Sequence, residues 1–269
     1  MTPAHVLTPG ESTLKSRTQV MEPMPRIAVL ADVHGNLPAL LAAAEDIARR
    51  GIDTVINLGD HASGPLWPHE TVAFLMQQKW IQMAGNCDRQ LVQQAPIDHS
   101  ASDRFAFERL TSDQIQWLRT LPPTASVSDA ILGFHGTPSN DEVYLLEAVD
   151  DGRSRLAPRA ELLQRIRGVT APLMLCGHSH ISRIVRIGEA LIVNPGSIGL
   201  PAYTASHPEP HAMESGSPDA RYAIVEKADH GWRAELVSVP YNHFAAAEQA
   251  WEHARADWAL ALCTGYVTI

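Results

Sequence analysis

The sequence predicts an α/β fold that contains parallel strands. Short apolar and β-branched runs alternate with helical periods in the first third of the chain. This alternation is typical of parallel strands joined by crossover helices. With 269 residues, 45% of them hydrophobic, the chain is long enough to bury a large core. We therefore expect one α/β domain with additional segments at its ends.

Strand and helix signals follow one another from Arg26 onward. The runs RIAVLAD, DTVINLGD and WIQMAGN predict three strands. Between them, a helix is expected from an N-cap at Asn36 to Gly51, and the run PHETVAFLMQQ predicts a second helix. Residues 1–25 are rich in Pro, Thr, Ser and Glu without a sustained period, which predicts a mobile extension.

The second half of the chain continues the mixed pattern. Helices are predicted at 104–121, with a cap at Thr111 or Ser112, and at 156–168. Strand pairs are predicted at 124–136, 182–197 and 221–239, and the Pro- and Ser-rich residues 203–220 are expected to form a mobile polar loop. The predicted organisation is an extension (1–25), a domain (26–240) and a C-terminal helix (241–269).

The C-terminal segment carries a stripe of apolar residues at spacings of three and four, namely Phe244, Ala247, Trp251, Ala254 and Trp258. Such a stripe indicates a helix that packs either on the domain itself or on a partner. The second alternative would make the protein a homodimer.

Composition excludes several classes of protein. The net charge of -9 without a basic stripe argues against binding of a nucleic-acid polymer. Three widely spaced cysteines, Cys87, Cys176 and Cys263, indicate neither a disulfide framework nor a zinc knuckle. No apolar run reaches membrane-spanning length, and the N-terminal residues lack the apolar segment of a signal peptide. We expect a cytoplasmic protein that does not bind membranes.

Side chains able to bind a metal follow five of the apolar runs. Ligands in open α/β sheets lie outside the carboxyl ends of the strands, so these side chains can meet in one crevice. Each short motif alone is weak, but their joint occurrence after five runs indicates a metal site. The candidates are Asp32, His34, Asp60, Asn86, His135, His178 and His180.

Seven ligands are too many for one metal ion. A single zinc ion takes three or four protein ligands, whereas two ions can share a bridging carboxylate. Asp60 lies between the other strand ends in sequence order and is the expected bridge. Nitrogen and oxygen ligands of this kind suit Mn, Fe, Co, Ni or Zn, so the cofactors expected are two divalent metal ions of undetermined identity.

The motifs DVHGN, GD, GNCD, FHG and GHSH, in this order, resemble the calcineurin-like metallophosphoesterase superfamily. With NPGSIG at 194–199, they are most similar to its small bacterial and archaeal phosphoesterase branch. The resemblance covers about residues 26–240. It implies a four-layer α/β/β/α sandwich with two mixed β-sheets and a dinuclear site at one end.

The resemblance also implies residue roles. One metal would be held by Asp32, His34, Asp60 and His180, and the second by Asp60, Asn86, His135 and His178. The implied activity is hydrolysis of a small phosphate ester, as phosphodiesterase or phosphatase, by in-line attack of a metal-bridging hydroxide. The residues implied in catalysis are Asp60, Asn86, Cys87 and His135. Two alternatives remain: a non-catalytic scaffold of the same fold, and a structural metalloprotein or mononuclear hydrolase of another class.

Cys87 departs from the pattern of the superfamily. Many members have a histidine there, which contacts the phosphate and can protonate the leaving group. Cys87 is therefore either a small filler or a substrate contact with a modified role. A third alternative is that its thiolate is a metal ligand.

Asn36 is a candidate for substrate binding as well as an N-cap. Further candidates for substrate contact are His61, Arg89 and Tyr144, while His207 and His211 are expected in solvent.

Overall fold

The computed structural model of the protein describes residues 26–268, so the predicted extension at 1–25 lies outside the described residues. The helices of this part are α1 Leu37–Arg49, α2 Pro68–Met76, α3 Asn86–Gln93, α4 Ala101–Phe107, α5 Ser112–Thr120, α6 Arg159–Arg165, α7 His243–Glu252 and α8 Ala256–Thr264, with a 3-10 helix at Pro96–Asp98. Among these described helices, none has the length and apolar character needed to cross a membrane.

The strands of the described residues are β1 Ile27–Leu30, β2 Thr54–Asn57, β3 Ile81–Gln82, β4 Thr124–Ser128, β5 Ile131–Phe134, β6 Glu147–Asp150, β7 Arg153–Leu156, β8 Leu173–Leu175, β9 Arg183–Ile187, β10 Ala190–Asn194, β11 Ala202–Ala205, β12 His211–Glu214, β13 Ala220–Ala228 and β14 Gly231–Val239.

Two five-stranded mixed sheets form the centre of the molecule. The first has the order β14-β13-β1-β2-β3 and the second β4-β5-β8-β10-β9. Strands β1, β2 and β3 are parallel, as are β5, β8 and β10, while the outer strands β14, β4 and β9 pair antiparallel with their neighbours. The carboxyl ends of the parallel strands therefore lie at one edge of each sheet, which is where the predicted ligands follow.

The two sheets pack face to face with helices outside them. Val29 of β1 contributes to the core between the sheets, together with Leu175 and Val193 of the second sheet. The alternate residue Leu30 faces the other way, into the core under α1. Helix α6 covers the outer face of the second sheet through Leu162. The predicted α/β sandwich is confirmed.

A third sheet was not predicted. It has the order β11-β12-β7-β6, and its strands β11 and β12 use residues that the sequence analysis assigned to a polar loop. The loop expectation for 203–220 is wrong because β12 pairs with both β11 and β7, and because His211 and Met213 of β12 are buried. Tertiary contacts here overrule a composition that is typical of loops.

The C-terminal segment forms two helices and not one. The chain leaves the helical conformation between α7 and α8, where Ala254 has φ 58°. The expected continuous stripe is therefore wrong: Phe244 and Trp251 are each 67% exposed, whereas Trp258 is buried. The buried face of the two helices packs on Leu66 and on other residues near the metal-ligand edge of the sheets.

Two predicted helix caps are confirmed. The Asn36 side chain accepts the Ala39 N–H at 3.2 Å and begins α1. The Thr111 side chain accepts the Gln114 N–H at 3.2 Å and begins α5. The helix predicted over 104–121 is consequently divided into α4 and α5.

Candidate metal centre

The seven predicted ligands lie together at the carboxyl ends of five strands. Two follow β1, one follows β2, one opens α3 after β3, one follows β5 and two follow β8. All are buried or half-buried, and they are Asp32, His34, Asp60, Asn86, His135, His178 and His180. Their meeting in space agrees with the sequence pattern, and their role as ligands stays a prediction.

The backbone at this edge is strained. Seven non-glycine residues of the described chain have φ in the left-handed region, and five of them belong to the predicted ligand set. Their angles are 57° for Asp32, 51° for His34, 58° for Asp60, 68° for His178 and 59° for His180. Non-glycine residues seldom adopt this conformation, and where the surrounding structure enforces it the strain often marks a functional site.

Three of the imidazoles are oriented by main-chain oxygens. A carbonyl oxygen can only accept a hydrogen bond, so each Nδ1 in these contacts carries the hydrogen. In a neutral ring, Nε2 is then left with a lone pair. The contacts are His34 Nδ1 to Ser63 O at 2.8 Å, His135 Nδ1 to Leu58 O at 3.0 Å and His180 Nδ1 to Leu200 O at 2.7 Å.

The first half of the site fits a divalent cation. Nε2 of His34 and Nε2 of His180 face each other at 3.1 Å, and Oδ1 of Asp32 lies 3.4 Å from the latter. Two lone pairs at this distance repel unless a proton or a metal ion lies between them. One donor atom from each of these three residues can be chosen so that all lie within 4.8 Å of one another. The donors are therefore suited to a shared metal ion.

The second half of the site is arranged around Asp60 and His135. Nε2 of His135 lies 3.3 Å from Oδ2 of Asp60 and 3.0 Å from Oδ1 of Asn86. The His178 ring is close to the His135 ring, with centroids 5.2 Å apart. Oδ2 of Asp60 also lies 3.8 Å from Nε2 of His34, in the first half. Asp60 thus reaches both halves, as a bridging ligand must.

Charge and burial hold these groups in unusual protonation states. Burial opposes ionisation of Asp60, but His135 and His34 outweigh it and hold the pKa of this carboxyl well below its usual range. Burial likewise opposes the charge on His135, yet Asp60 raises the pKa of that imidazole to about 10. Burial, reinforced by His135, lowers the pKa of His178 to about 4. Binding of a metal at His135 would therefore release a proton.

Asp88, the last residue of GNCD, holds two ligand-bearing turns together. Its Oδ2 accepts the N–H of Asp60 at 2.8 Å and the N–H of Gly85 at 2.9 Å. Its Oδ1 accepts the N–H of His61 at 3.0 Å, and the His61 ring donates to Oδ2 at 2.7 Å. A Cβ at position 85 would lie 2.1 Å from Oδ1 of Asp60, so this close approach requires glycine.

A cavity of about 620 Å³ opens beside the metal centre. The predicted ligands that line one side are His34, Asp60, Asn86, His178 and His180, together with Cys87. The opposite side is formed by the turn between α7 and α8, by α8 itself and by the residues that follow it. A phosphate group would fill only part of this volume, so the cavity has room for the remainder of a substrate.

Cys87 lies at the junction of the metal centre and the cavity. Its N–H donates to Oδ1 of Asp60 at 2.9 Å, and its Sγ accepts from the Asn86 amide at 3.5 Å. Burial, followed by nearby Asp60 and Asp103, raises the pKa of the thiol well above its usual value. Donor atoms of Cys87, His34 and Asp60 also lie within 4.8 Å of one another, so the ligand reading of Cys87 remains compatible with the geometry.

The other candidates for substrate contact do not line the cavity. Asn36 is fully buried, and its amide donates to Gly199 O at 2.9 Å and to the Tyr241 hydroxyl at 3.0 Å. Asn36 is not among the residues that line the cavity, and its contact with substrate stays a prediction. His61 is also fully buried against Asp88. A third candidate, Arg89, donates to both carboxylate oxygens of Asp141, at 2.7 and 2.9 Å. The fourth, Tyr144, is buried behind His178.

Sequence reasoning missed a buried tether that supports His178. The Tyr144 ring stacks on His178 at 4.8 Å, and its hydroxyl donates to Nε2 of His211 at 3.0 Å. The Tyr203 hydroxyl lies 3.0 Å from His178 O and 3.1 Å from the Tyr144 hydroxyl. The expectation that His211 is solvated is wrong, whereas His207 is exposed. Both Tyr203 and His211 lie on the third sheet, which explains why the sequence pattern did not reveal them.

The chain belongs to the calcineurin-like phosphoesterase superfamily. Residues 25–213, more than half of the chain, match the sequence model of the calcineurin-like phosphoesterase superfamily domain. This match confirms the superfamily that the five motifs indicate. The narrower assignment, to a branch with GNCD, stays a prediction.

Three other proteins show how far the similarity extends. An uncharacterized protein of Methanocaldococcus jannaschii is 24% identical over 258 residues, which cover 86% of this chain and 94% of that protein. A metallophosphoesterase from Sphaerobacter thermophilus aligns with a TM-score of 0.71 at 22% identity, covering 90% of this chain and 100% of the other. A hypothetical protein from Pyrococcus horikoshii OT3 aligns with a TM-score of 0.70 at 20% identity, covering 91% and 100%. The two solved structures share the fold of this chain.

Proposed function

We propose that this protein is a metal-dependent phosphoesterase that hydrolyses phosphomonoesters, phosphodiesters or both. The observation that carries the proposal is the arrangement of Asp32 and Asp60 among imidazoles whose Nδ1 atoms are bound to main-chain oxygens. Membership of the superfamily supports the same reaction class.

We assign two divalent cations to the centre. The ligands of the first would be Asp32, His34, Asp60 and His180, and those of the second Asp60, Asn86, His135 and His178. When bound, the two cations supply a hydroxide nucleophile near neutral pH and neutralise charge on the phosphate oxygens. The nitrogen and oxygen donors suit Mn, Fe, Co, Ni or Zn.

The protein's own contribution is to orient these groups and to shape the space for the ester. Strained turns hold the ligands, and Asp88 fixes the turn that carries Asp60. Cys87 lines the cavity at the place where the resemblance puts a proton-donating histidine. Without an imidazole there, the leaving group takes its proton from water or another residue. Esters with acidic leaving groups are then the better substrates.

Metal analysis and turnover measured on the same sample test the proposal. The full-length protein would be loaded with Mn, Co, Ni or Zn and assayed with nitrophenyl phosphate and bis-nitrophenyl phosphate. We expect about two ions per chain and hydrolysis of at least one ester. Two bound ions without hydrolysis of either ester would favour the non-catalytic scaffold. A single ion would favour a mononuclear site.

A further inference from the structure

We propose that the cavity beside the metal centre binds an uncharged apolar or aromatic group of a phosphate ester, and that α8 provides the wall that selects this group. The inference rests on the proposed function, because it places the phosphate at the metal centre. The wall follows residue 213, where the match to the family domain ends.

The wall is attached to the metal centre through Trp258. This residue is buried, and its ring packs edge-on against the His34 ring with centroids 5.9 Å apart. A Cβ at Gly64 would lie 2.7 Å from Cη2 of the indole, so the lack of a side chain at position 64 lets the indole reach the loop after β2. The first turns of α8 are thus held against the loop that precedes α2.

Two hydrogen bonds anchor the turn before α8. The His253 ring donates through Nδ1 to Pro65 O at 2.8 Å, on the same loop. Nη1 of Arg255 donates to the Ser102 hydroxyl at 2.8 Å, on α4. The turn is consequently tied to both sides of the cavity and belongs to its structure.

Among the described residues, the cavity lining has no unpaired lysine or arginine for a second anionic group. Of the lysines and arginines in the described part of the chain, only Arg255 lines it. Its guanidinium donates to both oxygens of Asp257, at 2.9 and 2.7 Å, which neutralises its charge. The lining also contains Asp103, whose oxygens accept from Ser63 and Ser100, each at 2.6 Å. A second phosphate or a carboxylate on the substrate would lie near the Asp103 carboxylate, and no unpaired lysine or arginine of the described lining would offset the repulsion.

Apolar side chains form part of the cavity lining. They are Leu200, Ala202, Tyr203, Trp258, Leu260 and Val267. Two of these are aromatic, and the volume of about 620 Å³ is within the range of small-molecule sites. An aromatic or branched apolar group attached to the ester oxygen would exchange water for these contacts, which favours its binding.

Two esters with similar leaving-group chemistry test this selectivity. Phenethyl phosphate and glycerol phosphate both release an alkoxide, so they differ mainly in the apolar character of the group. For the metal-loaded full chain we expect kcat/KM to be at least about tenfold higher for phenethyl phosphate. Equal kcat/KM values for the two esters would overturn the inference and leave the proposed hydrolysis intact.

A matched pair of variants assigns the effect to α8. Leu260 is 38% exposed and lines the cavity, whereas Leu163 is 40% exposed on α6, away from it. We expect Leu260→Asn to reduce the preference for phenethyl phosphate about fivefold, mainly through KM, and Leu163→Asn to leave it unchanged. An unchanged preference in Leu260→Asn, or an equal loss in both variants, would contradict the assignment.

Equilibrium binding gives a readout that does not depend on turnover. Phenylpropylphosphonate and dihydroxybutylphosphonate replace the ester oxygens of the two substrates with carbon, so neither can be hydrolysed at that position. By calorimetry we expect the phenyl compound to bind at least about tenfold more tightly to the metal-loaded protein. This result without turnover of any ester would overturn only the proposed hydrolysis. Equal affinities would overturn the selectivity.

Discussion

The two sides of the cavity are built in different ways. The metal side consists of short turns at strand ends, with strained backbone and imidazoles bound to main-chain oxygens. The opposite side consists of α8 and the turn before it, attached through an apolar face that packs on Leu66, through the Trp258 ring and through two side-chain hydrogen bonds. We therefore expect a substitution on the metal side to change the rate of hydrolysis and one on the helical side to change the choice of substrate.

The largest expected effect lies on the metal side, at Asp60. Asp60→Asn keeps the size of the side chain but removes the charge that can bridge two cations. We expect turnover to fall by about 10³-fold or more and metal content to decrease, as measured by steady-state kinetics and elemental analysis. His207→Ala, at an exposed position, is the control and should change neither quantity. Full turnover with two ions in Asp60→Asn would refute the bridging role.

Cys87 lies where the two sides meet, so its replacement can change both the rate of hydrolysis and the choice of leaving group. Cys87→His would place an imidazole near the leaving group, and general acid catalysis typically contributes 10²–10⁴-fold. We expect hydrolysis of alkyl esters to rise about 10²-fold and the ratio of aryl to alkyl turnover to fall.

Cys87→Ser provides a control of similar size for this experiment. It should leave the ratio of aryl to alkyl turnover near that of the wild type. An unchanged ratio in Cys87→His with both metals bound would make Cys87 a filler. Loss of a metal from Cys87→Ser would identify the sulfur as a ligand.

A smaller effect is expected at Asp88, which supports the metal side without being a predicted ligand. Asp88→Asn replaces one of the two acceptor oxygens with an NH2 group, so the side chain can no longer accept the N–H groups of Asp60, His61 and Gly85 together. Positioning groups of this kind typically change metal affinity 10- to 100-fold, and we expect a loss in that range by metal titration. Asp113→Asn, exposed in the first turn of α5, should bind metal normally. Equal affinities in the two variants would exclude a positioning role for Asp88.

The smallest effect is expected far from both sides of the cavity, at Asp46 of α1. Its Oδ2 accepts from the Tyr222 hydroxyl at 2.6 Å and from Arg50 at 2.7 Å. Burial opposes the charged form, but these two partners lower the pKa of Asp46 below its usual value. A lowered folded-state pKa stabilises the protein above the unfolded-state pKa, and the contribution is lost as pH falls through the folded-state pKa.

We therefore expect Asp46→Asn to lower the free energy of unfolding by about 1 kcal/mol near neutral pH. The difference from wild type should shrink toward about pH 3, as measured by urea denaturation, while turnover stays unchanged. Asp53→Asn, an exposed position before β2, is the control. A difference that persists at low pH would show that the charge of Asp46 is not the cause.

The metal side could be predicted from the sequence because each predicted ligand follows an apolar strand. Periodicity located β1, β2, β5 and β8, and the polar residue types after them indicated a metal. The cap at Asn36 was readable for a similar reason, since it depends on residues three positions apart. Local patterns are sufficient where the structure itself is local.

The parts that escaped prediction depend on contacts between distant residues. Asp88 binds backbone groups up to 28 positions away, and His211 contacts Tyr144 at a separation of 67 residues. The apolar stripe from Phe244 to Trp258 has helical spacing, yet the chain turns at Ala254, and the large side chains Phe244 and Trp251 are exposed while Trp258 is buried. Spacing along the chain cannot reveal such a turn.

The main-chain acceptors of the three imidazoles have an evolutionary consequence. Ser63, Leu58 and Leu200 orient the rings of His34, His135 and His180 through carbonyl oxygens, which every amino acid carries. A point mutation at these positions alters a side chain but leaves the acceptor in place as long as the fold persists. The orientation of the ligands can therefore survive extensive sequence drift, whereas the Asp88 tether can be lost in a single codon change.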